Sequence, residues 1–298
     1  MVSTPQPLER FTFTQYHMGV DARIIAYAPD EVTAEKACAA AFARIAELDS
    51  IMSDYRKDSE LNRLCARAGG PPVQVSADLL TVFIRAQEVS RLTGGAFDIT
   101  AAPVIQLWRT ARRTAQLPTQ AEIEAARRLV GYRNLTYDKP TRFVRLRLPG
   151  MKLDLGGIAK GYACDEAQKV LRAHGVTSAL VEMGGDIVVS DAPPGAQGWK
   201  IMVTEAGGGE IRTFKNCAVS TSGDTEQFVI IGGKRYSHVV DPRTGWAITN
   251  RVQATVVAKD GLTSDPVSKI FALTGTRTSR RVLRHYGVTE SYVRVAKD

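Results

Sequence analysis

Three glycines and a lysine crowd the run Leu153-Asp154-Leu155-Gly156-Gly157-Ile158-Ala159-Lys160-Gly161. Leu153 and Leu155 alternate as a buried strand would. Ala163, Ala167, Val170 and Leu171 then recur with helical spacing before Gly175. A strand feeding a glycine corner and a helix N-terminus lets backbone approach a phosphate and favours negative charge, and Lys160 adds a positive one. The phosphate-facing candidates are therefore Gly156, Gly157, Ala159, Lys160 and Gly161. The spacing fits neither a P-loop nor a dinucleotide fingerprint, and tight strand–helix packing explains the same glycines equally well. Further on, Ser220-Thr221-Ser222-Gly223 offers hydroxyls and backbone donors, or simply a turn. His238 leads into Asp241-Pro242-Arg243-Thr244-Gly245. It is the candidate base, because imidazole exchanges protons near neutral pH, and Asp241 is placed to orient it. A hydrogen-bonded structural histidine is the competing reading. His17, His174 and His285 sit at a strand kink, a helix end and a basic helix, and are weaker candidates.

The elements that must carry these residues are legible in outline. Phe11 to Tyr27 alternates as a strand interrupted at Met18-Gly19. Asp30 caps a helix whose apolar face carries Ala37, Phe42, Ile45, Leu48 and Ile51. Ser76 caps a second, with Leu79, Leu80, Phe83, Ala86 and Val89, ended by Gly94-Gly95. Thr119 and Glu122 form a capping box for a third. Strands are expected at Ala179 to Val181, Ile201 to Thr204, Phe228 to Ile231 and Val252 to Val257, with a hairpin at Gly232-Gly233. Two short helices are expected at Val267 to Leu273 and Ser279 to His285, with Pro266 in a first helical turn. The order is that of an α+β protein, with any division between a helix-rich half and a strand-rich half falling at Pro140 to Pro149.

With 298 residues, 44% hydrophobic and 23% charged, the chain suits one large domain or two intimate lobes. A net charge of +8 is spread through pairs such as Arg112-Arg113, Arg127-Arg128 and Arg280-Arg281. It serves solubility, or attraction of an anionic ligand. No aromatic-interleaved basic stripe points to nucleic acid. Cys38, Cys65, Cys164 and Cys217 lack metal or redox spacing and read as unpaired buried thiols. No apolar run has transmembrane length, and the N-terminus has no signal-peptide core.

Taken together, the glycine-rich run, Ser220 to Gly223 and His238 to Gly245 resemble the ApbE family of FAD:protein FMN transferases. Met18-Gly19, Met52-Ser53-Asp54-Tyr55, Ser59 to Asn62, Gly95 to Thr100 and Glu182 to Asp186 agree, in family order, from about Met18 to about Gly275. The resemblance implies a T-fold-like mixed sheet with flanking helices and an FAD cleft between two lobes of a single domain (about 1–140 and 141–298). It implies that FMN moves from FAD to a Thr or Ser hydroxyl of an acceptor redox protein, in a small-residue motif, with release of AMP. It places Met18, Tyr55, Asp98, Asp165, Glu182, Gly184, Gly185, Ser220, Thr221, Ser222 and His238 around FAD beside the glycine loop. Tyr55 offers a flat surface to a flavin, although core packing and an ordinary Gly184-Gly185 turn are the plainer alternatives. The resemblance also implies Mg2+ held by the Ala159 carbonyl and Asp265, and export behind a secretory or lipoprotein leader to the periplasm.

One position departs from the pattern. The family has a metal-ligating Thr four residues after its Asp, and this chain has Lys269 four after Asp265. One helical turn puts both on one site, and an ammonium cannot ligate a cation. Lys269 then pairs with Asp265 and supplies one positive charge to the pyrophosphate, giving a metal-independent or weakened enzyme, or leaves a flavin-holding protein without transfer, or turns to solvent while Asp265 keeps a hydrated metal. Hydrolysis of FAD to FMN and AMP is a related alternative, and a flavin oxidoreductase is the outsider.

Overall fold

The computed structural model describes residues 7–205, 208–223 and 228–295. The chain opens with β1 (Glu9–His17) and β2 (Val20–Ala28), then α1 (Glu31–Met52), α2 (Glu60–Ala66), β3 (Val73–Gln74) and α3 (Ala77–Thr93). Next come α4 (Ala102–Thr114), α5 (Gln120–Arg127), β4 (Leu135–Asp138), β5 (Phe143–Leu146) and α6 (Ala159–Ala173). The remainder is mostly strand: β6 (Ser178–Met183), β7 (Asp186–Val189), β8 (Trp199–Glu205), β9 (Gly208–Phe214), β10 (Cys217–Gly223), β11 (Phe228–Ile231), β12 (Lys234–Ser237) and β13 (Val252–Ala258). A long α7 (Gly261–His285) and β14 (Glu290–Val295) close the described chain.

Seven strands form the central sheet in the order β1-β2-β6-β7-β10-β13-β14. Every neighbouring pair is antiparallel, where the resemblance implies a mixed sheet. Successive residues point to opposite faces, and both faces are covered. Ile24, Val181, Ala218 and Val256 join the core that includes residues of α1, α3, α6 and α7. Ile25, Leu180, Val219 and Val257 pack instead with Trp199, Ile201, Val203 and Phe214 of the β8–β9 hairpin. Residues 140–149 do not divide the molecule. They fall in and around the β4–β5 hairpin, and the central sheet takes strands from both sides of them.

The caps read from sequence are present. Asp30 accepts from Thr33 N at 2.7 Å, Ser76 accepts from Leu79 N at 3.2 Å, and both bonds of the Thr119–Glu122 box form. Met18 and Gly19 make a two-residue turn between β1 and β2, both at positive φ (51° and 81°). That geometry matches the twist of a hairpin. The four cysteines are unpaired, Cys38 and Cys164 buried and the others partly so. Among the described residues no helix is long and apolar enough to cross a membrane.

Two expectations about helices are corrected. The two short late helices are one, α7, with Pro266 in its second turn rather than its first. The reason lies on α6: the Asp165 carboxylate accepts from Gly261 N (2.7 Å) and Leu262 N (2.8 Å) and starts α7 a turn before the proline. The second correction is α4, which the sequence reading passed over although Val104, Trp108 and Ala111 bury one side of it.

Trp108 belongs to a third core, its ring tilted against those of Tyr236 (5.1 Å) and Trp246 (5.7 Å). Its indole N–H donates to Gly245 O at 2.8 Å. Replacing so large a buried side chain with alanine typically costs about 3–5 kcal/mol. Trp108→Ala is expected to lower the unfolding free energy by that order in a urea titration. An unchanged midpoint would contradict the role given to α4.

Candidate functional site

Leu153-Asp154-Leu155 is extended and alternately buried, yet it joins no sheet ladder. Its backbone is held by Asp154 N donating to Ile99 O at 2.8 Å, so the expected strand is corrected to an unpaired extended segment. A turn at 156–158 follows, and α6 begins at Ala159 with no side-chain cap from Ile158. The glycines are needed, but chiefly for packing. A Cβ on Gly161 would overlap the carbonyl of Gly261 and lie 2.8 Å from Asp265 Cβ. A Cβ on Gly157 would lie 3.1 Å from Lys269 Cδ and 3.2 Å from the Phe97 ring. The Gly156 N–H donates to Asp154 Oδ1 (2.8 Å) and the Gly161 N–H to Asp265 Oδ2 (3.1 Å). Two of the backbone donors expected to face phosphate are therefore already engaged. What the corner presents is cationic side chains.

Those cations belong to a four-member cluster. Lys160 Nζ lies 3.1 Å from Asp186 Oδ2 and 3.0 Å from Gly156 O. Lys269 Nζ binds Asp265 Oδ1 and lies 3.3 Å from the Asp265 carbonyl. Burial alone would discharge Lys160, but Asp265 and Asp186 outweigh it and raise its pKa. Asp265 is fully buried, which favours the acid form, yet Lys269 and Lys160 hold its pKa below the usual carboxylate range. Burial, with Asp265 close by, pushes Asp186 up against the pull of Lys160 and Lys269. Position 186 belongs to a quoted motif but was not among the expected site residues, because its role needs Lys160 across the fold.

A divalent ion does not fit this donor set. Both Asp265 oxygens are occupied, one by an ammonium, and Asp186 is paired with another. Ala159, the second expected ligand, lies at the start of α6. Among the described residues no group of three or more His, Cys, Asp or Glu side chains could hold a metal.

Several expected flavin residues surround the corner. A Cβ on Gly184 would meet Val20 at 2.9 Å and Lys160 Cε at 3.5 Å, and one on Gly185 would meet Thr221 O at 3.2 Å. The Gly184-Gly185 turn, the β1–β2 hairpin that ends in Met18-Gly19, Lys160 and β10 thus come together. Ser220, Thr221 and Ser222 lie on a strand, not a turn. Ser220 Oγ is 2.7 Å from Ser264 Oγ on α7, and Thr221 Oγ1 is 2.9 Å from Thr255 Oγ1 on β13. Tyr55 is 73% exposed, so it is not core packing. The Arg109 guanidinium lies 4.7 Å from its ring centre. Arg109 also binds Asp54 and, at 2.7 Å, Asp154, tying the Tyr55 segment to the glycine corner. Sequence reading missed Arg109, whose only local signal was its place next to Trp108 on an unrecognised helix.

Other expected ligand residues have partners within the fold. Buried Asp98 accepts from Thr100 N, Thr100 Oγ1 and Tyr132 N, and burial raises its pKa despite those bonds. Burial likewise raises Asp165 to about 7, against its two backbone donors on α7. Glu182 pairs with Arg23, its direct cross-strand neighbour. In this structure the three carboxylates hold the backbone and the β2–β6 pair around the site. His238 lies in a bend just after β12, not on the strand, and is half-buried. Both Asp241 oxygens bind Arg243, whose Nη2 also donates to Leu273 O at 2.8 Å. Trp108 and Arg109, adjacent on α4, thus anchor the histidine segment and the glycine corner respectively.

The ApbE family model matches residues 18–293. The chain belongs to the ApbE family. It is 35% identical over 227 residues to an FAD:protein FMN transferase of Vibrio cholerae serotype O1, covering 74% of this chain and 67% of that one. The corresponding protein of Salmonella typhimurium is 30% identical over 250 residues, covering 80% and 71%. The structure superposes on the apo Pseudomonas stutzeri flavinyl transferase ApbE with a TM-score of 0.87 at 27% identity, covering 99% and 94%. The flavin transferase ApbE from Vibrio cholerae gives 0.87 at 29% identity, covering 98% and 95%. As an ApbE-family fold, the chain is α+β throughout its described length.

Because the Gly161 clash is with backbone, Gly161→Ala cannot be relieved by a side-chain rotation. Overpacking of this kind costs about 1–3 kcal/mol or more. The variant is expected to melt lower and to lose affinity for anionic ligands as Asp265 is displaced. A Gly161→Ala protein with an unaltered melt would show that α6 and α7 do not cross this closely.

Proposed function

We propose that this chain is an FAD:protein FMN transferase. The observation that carries the reading is the placement of two ammonium groups, Lys160 and Lys269, at the glycine corner of an ApbE fold. Riboflavin phosphate and AMP are joined in FAD by a diphosphate, and moving FMN is phosphoryl-type chemistry governed by positioning and charge. The acceptor's Thr or Ser oxygen bonds to the flavin-side phosphorus. The bond from that phosphorus to the bridging oxygen breaks, and its electron pair leaves with AMP. The hydroxyl proton passes to His238.

Each part has a residue of this chain to serve it. Lys160 and Lys269 meet the phosphate oxygens, and exposed Tyr55, backed by Arg109, offers a face to the isoalloxazine. Met18, Gly184, Gly185 and the Ser220–Ser222 strand line the neighbouring wall. The acceptor is read as a redox protein with a small-residue Thr or Ser motif, and the compartment as periplasmic or exported. Both rest on the family resemblance alone. The named relatives are transferases, which favours transfer to protein over hydrolysis or flavin storage.

Incubation with FAD and an acceptor domain is expected to add the mass of FMN to the acceptor, read by mass spectrometry, with AMP in equal amount. No adduct in any condition would reject the reading. Loss of a general base costs about 10²–10⁴-fold, so His238→Ala should depress turnover far more than FAD affinity. Equal loss of both would make His238 a structural residue.

A further inference from the structure

We propose that Lys269 takes the place of a divalent cation in this chain, so that FMN transfer proceeds here without a metal ion. The inference rests on the transferase reading for its reaction, and on the charge cluster for the exclusion of metal.

The cluster is complete as it stands. Lys160, Lys269, Asp186 and Asp265 carry two positive and two negative charges, which cancel. With a threonine at 269 the same group would carry one net negative charge and a bare carboxylate oxygen, which is what a hard cation seeks. Lysine removes both attractions at once. Its position is fixed by the fold: α7 sets it one turn after Asp265, and its Cδ and Cε run beneath Gly157, where a Cβ would lie 3.1 and 3.4 Å away. The glycine thus makes room for the lysine stem.

The hydrogen-bond inventory points the same way. An ammonium has three donors. Lys269 spends two on Asp265, at Oδ1 and the carbonyl, and Lys160 spends two on Asp186 and Gly156 O. One donor remains on each. The side chains are 18% and 15% exposed, so both are open to a ligand while their partner carboxylates are not. Two charged donors at one corner suit a diphosphate diester, which carries one negative charge on each phosphate. During transfer the new negative charge appears on the departing AMP phosphate as the acceptor oxygen bonds to the flavin-side phosphorus. A fixed ammonium stabilises that charge as a metal would, and a single such electrostatic contact is typically worth about 10²–10³-fold in rate.

The test compares the full chain with Lys269→Thr, each checked by thermal melt, in two measurements. The first is FMN transfer to the acceptor domain in EDTA and in excess Mg2+. The wild type should differ by less than about twofold between the two, whereas Lys269→Thr should fall at least about tenfold in EDTA and recover with Mg2+. The second is Mn2+ binding, followed by electron paramagnetic resonance with and without FAD. The wild type should hold none and Lys269→Thr about one ion per chain. EDTA-sensitive, Mg2+-restored transfer by the wild type, or equal Mn2+ binding by both proteins, overturns the proposal. If the wild type transfers nothing in either condition, the transferase reading fails, and Mn2+ binding still decides whether Lys269 excludes the metal.

Discussion

The contact on which the site depends is the crossing of two helices at a pair of glycines. Gly161 and Gly261 let the first turns of α6 and α7 meet backbone to backbone, closer than any side chain would permit. From that approach follow the bond from Gly161 N–H to Asp265, the capping of α7 by Asp165 and the delivery of Lys269 beneath the glycine corner. The glycines of this corner are thus accounted for first by packing. The ligand chemistry is built on top of it.

Burying four charges together is costly unless each has a partner with good geometry. Here each ammonium has a carboxylate, and Asp265 in turn has a backbone donor. The cluster is neutral, so it gains nothing from a further cation, but its two ammonium groups keep one donor apiece at the rim. Such a site is poised for an anion. It is preorganised, because the lysine stems are held by Gly157, Gly184 and the helices themselves rather than by the ligand.

Much of the fold was legible because its signals were local. Caps at Asp30, Ser76 and Thr119, the interruption at Met18-Gly19 and the strands β6 and β13 are each written in a few adjacent residues. What was lost depended on partners far along the chain. Nothing near Pro266 reveals that α7 starts at Gly261, since the cap comes from Asp165 on another helix. The burial of Leu153 and Leu155 was read correctly, but strand pairing needs a neighbour, and the neighbour is a single carbonyl at Ile99. The family motifs gathered Lys160, Tyr55, Gly184 and Lys269 without revealing how they divide the work. Asp98, Asp165 and Glu182 stand in the same motifs, and each holds a backbone or side-chain partner far along the chain. Arg109 escaped notice because a lone arginine on an unrecognised helix carries no pattern of its own.

The most direct examination of this account is a crystal structure of the chain grown with FAD. The two phosphates are expected within hydrogen-bonding distance of Lys160 Nζ and Lys269 Nζ, with Asp265 still on the Lys269 ammonium and the flavin ring against Tyr55. A diphosphate lying away from both lysines, or a six-coordinate ion between Asp265 and the phosphates with Lys269 turned outward, would contradict it.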